Sequence, residues 1–239
     1  MAASRMCQGV TKSGSPTPSE ITSSICVTRS KKHMTLLPED ALPDADARLD
    51  QQEAGADFLT GAGFTAIGID HFVRPGDEMQ QAFAAGRLRR NFQGYTTDRA
   101  DALVGFGASA IGECAAGFSQ NAADTKTYFD RVSAGDFATR RVLELLPEDR
   151  PRKRIIEKLM CDMAVDVAAV CAEYGLSPDA FDAELETLAP MAADGIVTLS
   201  GRRVVIDPAF RILARIVCET FDQYARPAQE TGPRHAQAV

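Results

Sequence analysis

The chain has 239 residues, 45% of them hydrophobic, which is enough for one large domain or two small ones with an ordinary buried core. A formal charge of −7 and a pI near 5.1 lack the basic character of a general nucleic-acid-binding protein. No apolar run approaches the roughly 20 residues that a membrane helix needs, and the start lacks the pattern of a secretory signal peptide. We therefore predict a cytoplasmic protein without a membrane or nucleic-acid partner.

The cysteines are scattered along the chain. Six are present, and the closest pair, Cys161 and Cys171, is ten residues apart, so no C-x-x-C or similar cluster-binding run exists. Only three histidines accompany them. We predict reduced thiols and no metal ligands in this sequence.

The first part of the chain changes character near Pro43. Residues 1–35 are rich in Ser and Thr and show no sustained periodicity, which predicts a disordered leader, although the composition also loosely fits an organelle transit peptide. Acids and an apolar spacing then predict a helix over 44–60, followed by a strand over 64–69. A helix-then-strand step of this kind is typical of parallel sheets.

Residues 66–95 carry the polar side chains that look most suited to chemistry. Asp70 and His71 follow the predicted strand, and a Pro-Gly turn leads into a helix over about 78–86. The residues after that helix combine arginines, an amide and aromatic rings: Arg87, Arg89, Arg90, Asn91, Phe92 and Tyr95.

A glycine-rich loop, GFGASA, follows at 105–110. Glycines at a strand's exit let a backbone approach a ligand closely, but the spacing of a dinucleotide fingerprint is absent, and a loop that needs small residues only for packing is the simpler interpretation. A helix through Val132 comes next, with Tyr128 and Phe129 as its expected buried ring pair.

The C-terminal part has its own pattern. A charged stretch, 148–154, is interpreted as a hinge and a domain boundary. Beyond it we predict a helix from Ile155 to Gly175, a second helix through Met191, a hairpin over 195–207 and a last helix over 209–224, which is a winged-helix arrangement. Residues 179–194 contain five acids and no Lys or Arg, so this second helix is not expected to enter a DNA groove.

Several motifs together resemble one enzyme family. GIDHFVRPGDEM (68–79), GRLRRNFQGYTT (86–97), GFGASAI (105–111), FSQN (118–121) and CETFDQY (218–224) are similar to the C-terminal half of oxygen-independent coproporphyrinogen III oxidases, which are radical S-adenosylmethionine enzymes. The resemblance covers about residues 36–226. A related haem-chaperone family shares the barrel, but NFQGYTT fits the oxidases better.

The resemblance implies an α/β fold: the C-terminal portion of a partial radical-SAM barrel over 36–146, then a mostly helical, winged-helix-like domain over 147–226, with a disordered tail at 227–239. The family uses a [4Fe–4S] cluster and S-adenosylmethionine to generate a 5′-deoxyadenosyl radical, which starts the oxidative decarboxylation of coproporphyrinogen III to protoporphyrinogen IX in haem biosynthesis. The C-x-x-x-C-x-x-C run that binds the cluster is absent here. The resemblance thus predicts inactivity alone, with the missing N-terminal half as a partner in trans.

Six residues carry the expected contacts. By resemblance, Phe92, Gln93 and Ile111 contact S-adenosylmethionine, although Phe92 also fits a core position and Gln93 a loop surface. Asp70 and His71 fit either the porphyrinogen pocket or internal hydrogen bonding, and Arg90 fits either a substrate propionate or an acid-paired surface. The alternative function is a non-catalytic module that binds a porphyrin or a partner.

Overall fold

The computed structural model of the protein describes residues 42–224, so the predicted leader and tail lie outside the described residues. The α-helices are α1 (Ala45–Gly61), α2 (Glu78–Ala84), α3 (Thr125–Ser133), α4 (Asp149–Asp162), α5 (Val167–Glu173), α6 (Asp182–Thr187), α7 (Ala189–Ala193) and α8 (Ala214–Glu219), with a 3-10 helix (Pro208–Leu213) before α8. In this part of the chain no helix is long and apolar enough to cross a membrane.

The strands are short. They are β1 (Thr65–Ile67), β2 (His71–Val73), β3 (Arg89–Asn91), β4 (Gly94–Thr96), β5 (Ile111–Cys114), β6 (Gly117–Asn121), β7 (Thr139–Glu144), β8 (Ala164–Asp166), β9 (Val197–Ser200) and β10 (Arg203–Ile206). Within residues 42–224 they form the hairpins β1–β2 and β3–β4 and two three-stranded sheets, ordered β5-β6-β7 and β8-β10-β9.

Aspartates set the start of several helical segments. Five of them accept a hydrogen bond from a backbone N–H of the first turn, which satisfies a donor that has no partner inside the helix: Asp44, Asp77, Asp124, Asp166 and Asp207. The helices predicted after residues 44 and 77 therefore begin where the sequence indicates.

Two buried clusters hold the described residues together. The larger one is formed mainly by α4, α5 and the β9–β10 hairpin, yet it includes Ile69 from the loop after β1. The smaller one surrounds Ile67 and Tyr95, yet it includes Cys161 from α4. Each cluster therefore takes a residue from the other part of the chain, which fixes the loop after β1 against α4.

Residues 97–148, which we call the open segment, contribute nothing to either cluster. Helix α3 has no buried residue, and five of the six residues of strand β7 are exposed. Sheets and amphipathic helices normally bury one face, so this segment presents apolar surface without a core of its own.

Several local predictions are wrong. All strand pairings among residues 42–224 are antiparallel, because β1 turns back directly into β2 instead of feeding a crossover helix. Residues 149–154 begin helix α4 and are not a hinge. On α3, Phe129 is 67% exposed and does not form a buried ring pair with Tyr128.

The long helix predicted after Ile155 is interrupted. Met163 takes a left-handed conformation (φ 54°) that ends α4, and strand β8 follows before α5. The second predicted helix is divided into α6 and α7. The hairpin is where the sequence indicates, with β9 and β10 joined across residues 201 and 202.

Candidate functional site

The loop after β1 is held by the ring of Tyr95. The Tyr95 hydroxyl accepts a hydrogen bond from the Ile69 N–H (3.0 Å) and donates one to the Met160 carbonyl (3.0 Å). Gly68 has φ 55°, and a Cβ at this position would lie 1.9 Å from Cζ of Tyr95. Only glycine fits this close approach, so the Tyr95 ring explains the glycine at position 68.

Asp70, His71 and Arg90 come together around the same ring. His71 Nδ1 lies 2.8 Å from Asp70 Oδ1, and the imidazole packs edge-on against Tyr95 with the ring centroids 4.9 Å apart. Arg90 is the cross-strand partner of Tyr95, and its guanidinium carbon lies 4.8 Å from the ring centroid. We call these four residues the Tyr95 cluster.

The electrostatics of the Tyr95 cluster favour a charged Asp70. The hydrogen bond from His71 lowers the pKa of Asp70, and electrostatic interactions with His71, Arg215 and Arg90 act in the same direction against the cost of burial. Burial raises the pKa of Tyr95, so this phenol stays protonated and remains a donor. The cluster therefore pairs a carboxylate with cationic groups beside a neutral aromatic ring.

Phe92 and Gln93 form the two-residue turn between β3 and β4. The Asn91 side chain accepts a hydrogen bond from the Gln93 N–H (2.8 Å), which fixes the turn. Gln93 is exposed, and Phe92 is 55% exposed with its ring 5.0 Å from that of Phe118 on β6. Phe92 is thus not a core residue, although the sequence alone allowed that interpretation.

Ile111 lies on the same sheet face as Phe118. Across β5 and β6, Ile111 pairs with Gln120 and Glu113 pairs with Phe118. Because side chains two residues apart on a strand share a face, Ile111, Glu113, Phe118 and Gln120 point to the side that Phe92 approaches. The structure therefore brings Phe92 and Ile111 to one surface, while the exposed Gln93 side chain has no described contact.

Two charged residues at this surface were missed by the sequence reasoning. Lys153 of α4 forms an ion pair with Glu113 and lies 5.2 Å from the Phe118 ring centroid. Glu113 was detectable, because it follows Ile111 at the two-residue spacing of a strand face. Lys153 was hidden in the charged run interpreted as a hinge.

The glycine-rich loop is fixed by Asn121 and Tyr128. The Asn121 amide donates to the carbonyls of Gly105 (3.0 Å) and Gly107 (3.1 Å), and the Tyr128 hydroxyl accepts from the Gly107 N–H (3.0 Å). A Cβ at Gly105 would lie 2.8 Å from the Ile111 carbonyl oxygen, so the loop packs directly on β5. Packing therefore accounts for the small residue at Gly105.

The β3–β4 hairpin joins the Tyr95 cluster to the surface that Phe92 and Ile111 share. Arg90 lies in β3 and Phe92 in the turn that follows, while Tyr95 lies in β4, so the β3–β4 hairpin carries part of the Tyr95 cluster on its strands and the aromatic contact to the open segment at its tip. Arg89, also on β3, ties the hairpin to α4 through an ion pair with Glu157 (3.2 Å).

The described cysteines do not fit an iron–sulfur cluster. No group of three or more metal-ligating side chains converges among residues 42–224. Burial raises the pKa of both Cys161 and Cys218 to about 12, whereas a cluster ligand must be a thiolate. These cysteines behave as buried apolar side chains.

Comparisons with known proteins point to one family. Residues 145–209 match the HemN C-terminal domain. An oxygen-independent coproporphyrinogen III oxidase from Bradyrhizobium diazoefficiens is 42% identical over 209 residues, which is 87% of this chain and 46% of that protein. The oxidase of the same name from Cereibacter sphaeroides is 37% identical over 201 residues, or 84% of this chain and 44% of the relative.

A solved structure agrees with these matches. Coproporphyrinogen III oxidase (HemN) from Escherichia coli, described as a radical SAM enzyme, superposes with a TM-score of 0.75 at 34% identity and covers 80% of this chain and 44% of that one. The described fold is thus similar to part of the fold of that enzyme. The chain is therefore similar to the C-terminal part of proteins named oxygen-independent coproporphyrinogen III oxidase, which confirms the resemblance.

The chain spans less than half the length of each of these three relatives. The mixed helix and strand composition expected from the resemblance is confirmed by the match to the solved structure.

Proposed function

We propose that this chain serves as the C-terminal part of an oxygen-independent coproporphyrinogen III oxidase, which oxidatively decarboxylates coproporphyrinogen III to protoporphyrinogen IX in haem biosynthesis. The observation that carries the proposal is the agreement of sequence and fold with this family over most of the chain. The activity belongs to an assembled protein that also contains the cluster-binding part.

The proposed architecture is the end of a partial radical-SAM barrel over 36–146 and a winged-helix-like domain over 147–226. The order of α4, β8, α5, the paired segments α6 and α7, and the β9–β10 hairpin supports the second assignment. The β5-β6-β7 sheet and its uncovered surface support a first part that is completed by further strands.

We assign Phe92, Gln93 and Ile111 to contact with S-adenosylmethionine. Phe92 offers an exposed ring face and Gln93 an exposed amide, which suit an adenine or amino-acid edge. Ile111 shares the surface that Phe92 approaches. When bound, S-adenosylmethionine supplies the radical chemistry, and these residues orient it.

We assign Asp70, His71 and Arg90 to contact with the porphyrinogen. Among the described residues the Arg90 guanidinium makes no ion pair, so it retains donors for a propionate carboxylate. Asp70 is held charged beside His71, which suits hydrogen bonding to the pyrrole N–H groups of a porphyrinogen.

The [4Fe–4S] cluster is proposed to reside on an N-terminal part supplied from outside this sequence. The open segment is the surface we assign to that part, because it carries exposed apolar side chains on both α3 and β7. Phe129 and Val142 are examples, at 67% and 75% exposure.

The test is anaerobic reconstitution with iron and sulfide, with and without the separately expressed N-terminal part of the Bradyrhizobium relative. We expect the chain alone to give no [4Fe–4S] absorption and no 5′-deoxyadenosine, and the mixture to form protoporphyrinogen IX. A mixture that contains an intact cluster and bound chain but makes no product would contradict the proposal. A cluster on the chain alone would contradict the assignment of the cluster to the other part.

The second candidate is a non-catalytic module that binds a porphyrin or a partner. The buried thiols of Cys161 and Cys218 favour it, since burial raises the pKa of both to about 12, whereas a cluster ligand must be a thiolate. Porphyrin binding by the chain alone, together with an inactive mixture, is the result that would select this function.

A further inference from the structure

The loop that carries Asp70 is held from a distant part of the chain. Arg211, in the 3-10 helix before α8, donates from Nε to the Gly68 carbonyl (2.9 Å), and its Nη2 donates to the same oxygen. Arg211 and Gly68 are 143 positions apart in the sequence. A planar guanidinium that donates two N–H groups to one carbonyl restrains the position and the direction of that carbonyl.

The base of this contact is rigid. Asp207 caps the 3-10 helix through the Ala209 N–H (2.8 Å), and its own N–H donates to the Ile196 carbonyl (3.0 Å). The helix that follows buries Ala214 and Val217 completely in the larger cluster. Arg211 therefore reaches the loop from a fixed support.

The loop itself is confined from the other side by Tyr95. The Tyr95 hydroxyl binds the Ile69 N–H while Arg211 binds the Gly68 carbonyl, so one short stretch of backbone is held by two separate parts of the fold. Asp70 directly follows Ile69, so the restraints on Gly68 and Ile69 also orient Asp70. Burial lowers the pKa of Arg211, whereas the nearby Tyr95 and Asp70 act in the opposite direction.

We infer that Arg211 is a positioning residue that fixes the Gly68–Ile69–Asp70 loop and thereby sets where Asp70 and His71 meet the substrate. The inference rests on the proposed function for its substrate, since the contact with a porphyrinogen is assigned there. Arg211 acts only through the loop and is not placed in contact with the substrate.

The test uses the full chain with Arg211→Met, which removes both donors, and Arg211→Lys, which keeps the charge but can reach the carbonyl with one nitrogen only. The exposed Arg203 of β10 provides the matched control, Arg203→Met. Amide hydrogen exchange is measured at residues 68–71 and at 155–160 of α4. Binding of coproporphyrin III, a stable fluorescent tetracarboxylate, is measured on the chain alone and after mixing with the N-terminal part.

We expect Arg211→Met to accelerate exchange at Ile69 by about tenfold and to weaken coproporphyrin III binding by about tenfold, from the usual worth of charge-assisted hydrogen bonds. Exchange in α4 should stay unchanged, Arg211→Lys should restore part of both effects, and Arg203→Met should have neither. This pattern separates positioning from a general loss of stability, which would accelerate exchange in α4 as well.

Three results would overturn the inference: unchanged exchange at 68–71, equal acceleration in α4, or a loosened loop with unaltered porphyrin affinity. Absence of coproporphyrin III binding by the unsubstituted protein, alone and mixed, would instead contradict the proposed substrate contact. The exchange measurement would then still decide whether Arg211 holds the loop.

Discussion

Gly68 shows how one position can require one residue type for two separate reasons. Its φ of 55° lies in the left-handed region, and the space where a Cβ would lie is filled by the Tyr95 ring. Gly76 shares the first reason only, since it has φ 83° and a Cβ added there would meet no other atom within 4 Å. The pair therefore separates backbone strain from steric overlap.

We expect Gly68→Ala to lower the free energy of unfolding by about 3 kcal/mol, because strain and overlap both act there. Gly76→Ala, with strain alone, should cost about 1 kcal/mol. Urea unfolding of both variants measures the difference. Equal losses would show that the Tyr95 ring moves aside without cost.

The lowered pKa of Asp70 predicts how the free energy of unfolding changes with pH. Its pKa is lowered in the folded protein, first by the hydrogen bond from His71, so its contribution to stability is present above the usual value of 3.8 and is lost as the pH falls below 3.8 through the folded-state pKa. The side chain is 45% exposed, which limits the contribution to under about 1 kcal/mol.

Asp70→Asn should therefore lower stability at pH 6 and bring the two proteins closer together as the pH approaches 3. The free energy of unfolding, measured against pH for both proteins, checks this. The exposed Asp101, replaced as Asp101→Asn, is the control and should not change the curve. A difference for Asp70→Asn that persists undiminished at low pH would contradict the assigned cause.

At this scale the sequence predicts residue types better than their partners. Asp70, His71 and Arg90 are recognisable as polar residues suited to chemistry, but their meeting at the Tyr95 ring is known only from the structure. The role of Arg211 was not predictable, because its contact with Gly68 spans 143 residues and no local pattern marks it. Long-range side-chain pairing depends on tertiary packing, which periodicity does not encode.

Among the elements, the glycine-rich loop depends on one amide. Asn121 donates to two loop carbonyls with a single NH₂ group, which carries two hydrogens, so both donors are used. Asn121→Asp keeps the shape but removes both donors and adds a negative charge facing two carbonyl oxygens. Asn121→Ala, the matched comparison, removes the donors without adding charge.

We expect Asn121→Ala to lower the free energy of unfolding by about 1–3 kcal/mol, as two hydrogen bonds are lost, and Asn121→Asp to lower it further. Amide exchange at residues 105–110 should rise in both variants. If Asn121→Asp is the more stable of the two, the loop carbonyls are not the partners that matter.

The bounds of α1, predicted over 44–60, were accessible from the sequence, whereas those of α4, predicted to start at Ile155, were not. Aspartates that cap first turns are local signals, which is why α1 and α2 begin where the sequence indicates. The break at Met163 has no glycine or proline to announce it. It follows from pairing of β8 with β10, which lies about forty residues further along.

For the whole molecule, the contrast between the two clusters and the open segment is the main feature. The similarity to the oxidases and the mixed helix and strand composition were accessible from motifs in order along the chain. The antiparallel pairing was not accessible from a linear pattern, and Phe129 on α3 was expected to be buried although no open-segment residue belongs to either cluster.

The open segment predicts where an N-terminal part binds. Phe129→Ser with Val132→Ser, on one face of α3, should weaken that association by about tenfold or more while leaving the unfolding free energy of the isolated chain almost unchanged. Titration calorimetry with the separately expressed N-terminal part measures the first effect, and urea unfolding measures the second.

Tyr174→Ser with Leu176→Ser is the control, since both are exposed apolar residues, at 42% and 40%, that lie outside the open segment. Equal weakening by the two double variants would show that general hydrophobicity, and not the open segment, drives association.

Because the open segment contributes to neither buried cluster, we expect the stability of the chain to depend on the concentration of the N-terminal part. If the N-terminal part binds only the folded chain, mass action adds to the unfolding free energy as the part is supplied, by about 1.4 kcal/mol for each tenfold excess over its dissociation constant. The temperature of half-unfolding then has no single value for this chain. It rises with the amount of the part that covers α3 and β7.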